Sequence, residues 1–227
     1  MLIASHQPNF APYMGFFYKM YCADVFTISD EVVFSRRGFQ NYNFVDDNGE
    51  RRKITIPVNS HTQRICDVKI VNWEHSKKKL LKTLEWCYGR QPHYEELKSI
   101  LTKVFEKEYT YIKDLNLSII EEIKNAFGIS TKIVCESELN IDYKNPSEDI
   151  CLICEKCGGT AYMSGSGALA YMDMKTFLNH GIRVLWSNYE DKWDNLSVFD
   201  YIARYGCTLP KEFEKMKGEL LHGRNEF

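Results

Sequence analysis

LIASHQPNFAPYMGFFYKMYCADVFTI, residues 2–28, reads as strand, helix, strand. Residues 2–5 (LIAS) form a short apolar strand, and Pro12 suits the first turn of a helix running to about Ala23, where its missing N–H costs nothing. Val25 to Ile28 follows as a second apolar run. Two strands joined by one helix pair in parallel through a right-handed crossover, the βαβ unit. In sheets of this kind ligands gather at the carboxyl ends of strands, near helix N-termini. His6, Gln7 and Asn9 fall there.

Further along, NYNFVD and RKITIPV alternate in the strand period around Asp47-Asn48-Gly49, and Asn-Gly supplies the positive φ of a tight hairpin. From Trp73 to Phe127 the apolar spacing changes to three and four. KKLLKTLEWCYG, YEELKSILTKVFEKEY and YIKDLNLSIIEEIKNAFG predict three helices with Gly89 and Gly128 as stops, forming a lobe or covering one face of the sheet. The last third alternates again: strand TKIVCES, a helix from Ser147 to Lys156, strand TAYMSG, helices at GALAYMD and MKTFLNHG, strand IRVLWS and two closing helices, with a frayed tail at GELLHGRNEF. The expected fold class is α/β: a central, mostly parallel sheet with flanking helices, an Asn-Gly hairpin and a three-helix insertion over about 73–128, in one domain spanning 1–227.

The chain has 227 residues, 44% hydrophobic and 26% charged, enough to bury one sizeable core. With 29 Lys and Arg against 31 Asp and Glu, the net charge of -2 gives no overall attraction to nucleic acid or to an anionic membrane. No apolar run approaches the roughly 20 residues of a bilayer span, and MLIASHQ lacks the basic and apolar regions of a signal peptide. A cytoplasmic protein without membrane insertion is therefore expected. The eight cysteines, scattered through a chain too large to need stapling, are expected as reduced thiols. The sequence names no cofactor and leaves the oligomeric state open.

Four stations carry polar chemistry. His6 at a strand end is a candidate general base beside an anion site, with Gln7 and Asn9 able to read a polar ligand; the same residues also suit a turn histidine bonding its own loop. SRRGFQNYN, residues 35–43, gathers Arg36, Arg37, Gln40 and Asn41, where an arginine fork suits a phosphate or carboxylate and a solvated loop is the bland alternative. In YMSGSGALAYMD a strand ends at Ser164, and Gly165-Ser166-Gly167 lead into a helix whose first amides suit a phosphate or an oxyanion, with helix capping as the structural alternative. It matches neither GxxxxGK[ST] nor GxGxxG. CLICEKC places Cys151, Cys154 and Cys157 three apart on one helix, a spacing that suits a buried face better than one metal, so no metal site is assigned. Cys66 and Cys207 have no activating histidine nearby in sequence.

Taken in order, HQPNF-P-x-x-G-F-F-x-K, ADVFTISDEVVFSRRGFQNYNF, the hairpin ending in ITIPV, YMSGSGA-x-x-YMD and LSVFDYIARYG resemble the WbqC-like family over nearly the whole chain. The resemblance implies a bacterial, cytosolic protein associated with O-antigen or other surface-polysaccharide biosynthesis. It makes motif members of His6, Gln7, Pro8, Asn9, Gly15, Lys19, Asp30, Gln40, Asn41, Ser164, Gly165, Gly167, Tyr171, Ser197 and Asp200. The chain departs from the family pattern in the compact NYEDKWDN before the closing motif and in Asn43, where a basic residue is usual. A fainter likeness ties the strand, loop and helix to nucleotidylyltransferases that use two histidines around a glycine, but Phe16 follows Gly15 here.

The reading that follows is a transferase acting on a nucleotide-linked or similarly activated sugar, by acyl-type transfer to a sugar amine. His6, Lys19 and Asp30 are the catalytic candidates. Gln7, Asn9, Tyr13, Arg36, Arg37, Gln40, Asn41, Ser164, Gly165, Ser166, Gly167 and Tyr171 are the substrate-binding candidates. The alternatives are a nucleotidylyltransferase-like enzyme and a non-catalytic glycan- or nucleotide-binding partner protein. All depend on His6 and the Gly165–Gly167 bend opening onto one hollow.

Overall fold

The computed structural model describes residues 1–60, 63–170 and 172–222. It opens with β1 (Leu2–His6), α1 (Met14–Cys22) and β2 (Val25–Ile28), and β1 and β2 pair in parallel from Ile3 opposite Val25 to His6 opposite Ile28. The hairpin of β3 (Tyr42–Asp47) and β4 (Glu50–Thr55) follows, then the short pair β5 (Val58–Asn59) and β6 (Lys69–Ile70). Asn48 and Gly49 take φ of 55° and 91°, the two positive values that a tight hairpin turn between right-twisted strands requires.

Three long helices come next: α2 (Trp73–Tyr88), α3 (Tyr94–Phe105) and α4 (Ile112–Ala126). Gly128 ends the last with φ of 68°, whereas Gly89 stays right-handed at -58° with its N–H still donating to the Glu85 carbonyl. The remaining elements are β7 (Lys132–Cys135), α5 (Pro146–Lys156), β8 (Ala161–Ser164), α6 (Met174–Asn179), β9 (Arg183–Trp186), α7 (Val198–Tyr205) and α8 (Lys211–His222).

The five-stranded sheet is parallel throughout, in the order β7-β2-β1-β8-β9. The chain grows outward from β1 through β2 to β7, then returns to the other side of β1 for β8 and β9. The point of reversal lies between β1 and β8, where the helices leaving the two strand ends diverge and open a crevice. Strand alternation divides the core between the two faces. Leu2, Ala4, Phe26, Ile28, Met163 and Leu185 share one apolar cluster with α1, the three long helices, α7 and α8. Ile3, Val25, Tyr162 and Val184 pack with Cys151, Ile153 and Cys154 of α5 and Phe177 of α6 on the other.

Two local expectations change. Pro12 lies before the helix, because the Val198 N–H of α7 takes its carbonyl at 2.8 Å and α1 starts only at Met14. The helix expected at GALAYMD is a single 3-10 turn, Ser166–Ala170. Two glycines weaken helix formation there, and Asp173 caps α6 immediately afterwards, its own N–H donating to the Ser147 hydroxyl at 2.8 Å. So short a turn has no macrodipole to offer an anion.

The loop from Gln7 to Tyr13 is fixed by side-chain amides from distant elements. Asn116 on α4, fully buried, donates to the Pro8 and Gln40 carbonyls, both at 2.7 Å. Asn43 donates to the Phe10 carbonyl at 3.2 Å and the Ala11 carbonyl at 2.7 Å, and the Phe10 N–H donates to the Phe39 carbonyl at 2.8 Å. These bonds hold Ala11 at φ of 43°, a left-handed backbone that costs an L-residue about 1–2 kcal/mol. Asn116→Ala orphans two buried carbonyls at about 1–3 kcal/mol each, so stability falls by about 2–6 kcal/mol. Urea denaturation should show a lower midpoint with an unchanged slope; an unchanged midpoint would mean that the loop holds without this clamp.

Candidate functional site

His6 closes β1, half-buried, with the Phe16 ring edge-on at 5.0 Å. Its Nδ1 lies 3.0 Å from the Gln7 carbonyl oxygen. A carbonyl only accepts, so Nδ1 carries the hydrogen and Nε2 keeps the lone pair of a neutral imidazole. Nε2 has no hydrogen-bond partner among the described residues. Burial, and after it the positive charge of Lys19, lower the ring's pKa to about 4. At neutral pH the ring is therefore an uncharged acceptor.

His6 and Gln7 form a wall shared by two hollows. The first, about 490 Å³, lies over the carboxyl ends of the strands and is lined also by Ser5, Lys19, Ser29, Glu136, Tyr143, Tyr162, Ser164, Gly165 and Gly167. The second, about 440 Å³, is lined also by Asn9, Tyr13, Gly38, Phe39, Asn43 and Asn195. The sequence places some 160 residues between His6 and the glycine bend, and the fold brings both to one cavity. Gly165 and Gly167 keep negative φ, and a Cβ on either would meet nothing within 4 Å. Neither backbone strain nor crowding demands glycine there; the bare backbone leaves room for a ligand. A larger hollow, about 570 Å³, sits between β4 and α2 against the exposed Lys78, Lys79, Lys82 and Trp86, away from the strand ends and without a buried polar group.

Lys19, in the second turn of α1, donates to the Ser5 carbonyl at 2.7 Å, and its Nζ is 5.9 Å from the centre of the Tyr162 ring. Burial lowers its pKa to about 8, against an opposing pull from Glu136. It remains mostly a cation at pH 7. Glu136, immediately after β7 and 2% exposed, takes three hydroxyls on Oε1: Ser5 at 2.5 Å, Thr27 at 2.9 Å and Ser29 at 2.8 Å. Burial still pushes its carboxyl up, the hydroxyls pulling the other way. Glu136 lies inside TKIVCES, where no local pattern marks it. The rule that selects His6, a polar side chain at the carboxyl end of a parallel strand, selects it too once β7 lies beside β2.

The other expected residues divide into those at the cavities and those that support them. Asp30 is fully buried, with Oδ1 accepting from the Ser137 N–H at 3.0 Å and Oδ2 accepting from the Ser137 hydroxyl at 2.7 Å and from Lys113 at 3.2 Å. It lines neither hollow, and it ties the turn that carries Glu136 to the end of β2. Gln40, also fully buried, donates through Nε2 to Oε1 of Gln7 at 2.5 Å. Asn41 donates to the Ile56 carbonyl at 2.9 Å and lines neither hollow. Arg36 and Arg37 are exposed and line neither. The Ser164 hydroxyl donates to the Met172 sulfur at 3.3 Å. Tyr171 and the side chain of Ser166 lie outside the described residues.

The closing motif supports the frame. Ser197 caps α7 by accepting from the Phe199 N–H at 3.2 Å, and the buried Asp200 accepts from Arg204 at 2.9 Å, which also reaches Asp46 of the hairpin. Gly15 is required by crowding, because a Cβ there would meet the Tyr13 ring and lie 2.7 Å from the Tyr189 ring. All eight cysteines are free. Cys151 and Cys154 are fully buried in the second core cluster, and burial pushes the Cys151 thiol up to about 12, as it does that of Cys207. Among the described residues no three His, Cys, Asp or Glu side chains are grouped to hold a metal ion, and no helix is long and apolar enough to cross a membrane.

An open parallel sheet with His, Lys, Glu and Ser side chains converging on its switch point defines an α/β protein with a polar cleft. The chain belongs to the WbqC-like protein family, whose sequence model matches residues 7–207. It is similar to the uncharacterized protein Rv1507c of Mycobacterium tuberculosis, with 27% identity over 222 residues that cover 92% of this chain and 95% of that one. No solved structure matches.

The depressed pKa of His6 has a thermodynamic signature. The unfolded ring takes up its proton near pH 6.5 and the folded ring only near 4, so stability falls as pH drops between those values and levels off below. The loss amounts to up to about 3 kcal/mol from this group. Denaturation of the wild type and His6→Asn at pH 7 and pH 4 should show a larger loss in the wild type; equal losses would contradict the assigned environment.

Proposed function

We propose that the protein is a transferase of bacterial surface-polysaccharide assembly, of the O-antigen type, working in the cytoplasm and moving an acyl-type group onto the amine of a nucleotide-linked or similarly activated sugar. One observation carries the reading: an unprotonated imidazole, oriented through one nitrogen and bare at the other, stands in the wall between two cavities. Two substrates, one on each side, would meet at Nε2. The pathway follows from what the family resemblance implies.

In this reaction the sugar nitrogen, as the free amine left once its ammonium has released one proton to solvent, forms a bond to the acyl carbon, the leaving group departs with its electron pair, and the proton then lost by the nitrogen passes to Nε2 of His6. Gln7 and Asn9 orient the sugar and its partner across the wall. Lys19 and the open backbone at Gly165 and Gly167 receive the anionic end. Arg36 and Arg37, next in sequence to Gly38 and Phe39 of the second hollow, are available to an anionic group reaching out of it. An anion bound beside Lys19 removes one of the two causes that weaken His6 as a base, so substrate binding itself strengthens the base.

Nucleotidyl transfer by a histidine pair has less support. The residue after Gly15 is Phe16, a fully buried ring packed on His6, and no second imidazole stands there to stabilise a transferring phosphate.

His6→Ala should fold with an unchanged melting temperature and lose about 10²–10⁴ in kcat when assayed with an amino-sugar nucleotide and an acyl donor. For the wild type, the acid limb of kcat/KM should fall near pH 4, and that of kcat at a higher pH. Full activity of the alanine variant would end the catalytic reading and favour a non-catalytic binding protein.

A further inference from the structure

The two oxygens of Glu136 have different surroundings. Oε1 is saturated by the hydroxyls of Ser5, Thr27 and Ser29, whereas Oε2 has no hydrogen-bond partner among the described residues, in a side chain that is 2% exposed and lines the first hollow. Across the same hollow stands Lys19. The two do not form an ion pair. Ser5 holds them apart, its carbonyl taking the lysine at 2.7 Å and its hydroxyl taking the carboxylate at 2.5 Å.

Burying opposite charges in one cavity is costly unless they meet, and here the fold keeps them from meeting. A ligand carrying an ammonium and an anionic group would satisfy both at once. Asp149, the other carboxylate in the wall, accepts on Oδ1 from the Lys144 and Asn145 N–H groups at 2.7 and 3.2 Å and is only half-buried, so Glu136, at 2% exposed, is the carboxylate that gains most from an ammonium.

We propose that this hollow is a site for an amino-sugar phosphate, with Glu136 Oε2 accepting from the sugar ammonium and Lys19 donating to the phosphate. Glu136 is then the residue that tells an amino sugar from its hydroxyl analogue. A neutral hydroxyl in place of the ammonium leaves a buried carboxylate without its counter-charge, and a site built for a charged group rejects such an analogue strongly. The proposal rests on the transferase reading for its substrate class, but its test needs no turnover. Direct attraction to both ends of the ligand also offsets the burial that weakens Lys19 as a cation and Glu136 as an anion.

Calorimetric titration at pH 7 with D-glucosamine 1-phosphate and D-glucose 1-phosphate compares ligands that differ only in the amine. The wild type should bind the amine at least 10-fold more tightly, a preference that a charge-assisted hydrogen bond readily supplies. Glu136→Gln, which keeps the shape and an acceptor for the three hydroxyls, should weaken the amine by about 10-fold and leave the glucose compound within about 2-fold. Lys19→Met should weaken both alike. Equal wild-type affinities, failure of the glucosamine compound to bind, or an amine preference that survives Glu136→Gln would overturn the proposal. The wild-type comparison stands even where a variant fails to fold. The titration contains no acyl donor and reads no turnover, so an amine preference in a protein that transfers nothing would separate this proposal from the catalytic reading.

Discussion

One hydrogen bond sets the chemistry of this site: Nδ1–H of His6 to the carbonyl of Gln7, at 3.0 Å. It fixes the tautomer, turns the ring and leaves Nε2 as the basic atom. The bond exists because the chain folds back sharply after β1, and that path has little support of its own. Asn116 and Asn43 hold four of its neighbouring carbonyls, from elements far along the chain. The hairpin and the three-helix segment thus act on the first hollow without lining it. They fix the loop, and the loop fixes the imidazole.

The sheet supplies the second constraint. A strand order that reverses beside β1 leaves the ends of β1 and β8 without a covering helix between them, and the polar side chains that finish β1, β2, β7 and β8 share the resulting crevice. Burial there works against charge. It lowers His6 and Lys19, and it raises Glu136. A sequence selected for stability alone would place apolar groups at such positions, so their presence is a local conflict of the kind that marks functional sites. Asp30 belongs to the same economy as a support: bonded to Ser137 and Lys113, it secures the turn from which Glu136 projects.

Elements with a strong local cause were legible in the sequence. The β1-α1-β2 unit follows from apolar runs around a helical pattern, the hairpin follows from Asn48-Gly49, and the three helices from 73 to 128 follow from their spacing. Residues 166–170 misled, because two glycines and a nearby cap at Asp173 leave room for only one 3-10 turn, and short apolar stretches do not reveal that. Of the residues that line the first hollow, His6, Gln7, Lys19 and Gly165 stand out in the sequence by position on strand ends and in motifs. Glu136 was missed because its role depends on β7 lying beside β2, a pairing across more than a hundred residues that no local pattern encodes. Asn116 was hidden in the same way, as a polar residue on an amphipathic helix whose partners come from the other end of the chain.

The central claim is the protonation state of one ring. A long-range proton–nitrogen correlation spectrum of the protein labelled with ¹⁵N-histidine, recorded at pH 7 and assigned through His6→Asn, reads it directly. The account requires a neutral His6 with the hydrogen on Nδ1 and a bare Nε2. A hydrogen on Nε2, or a doubly protonated ring at that pH, would contradict it.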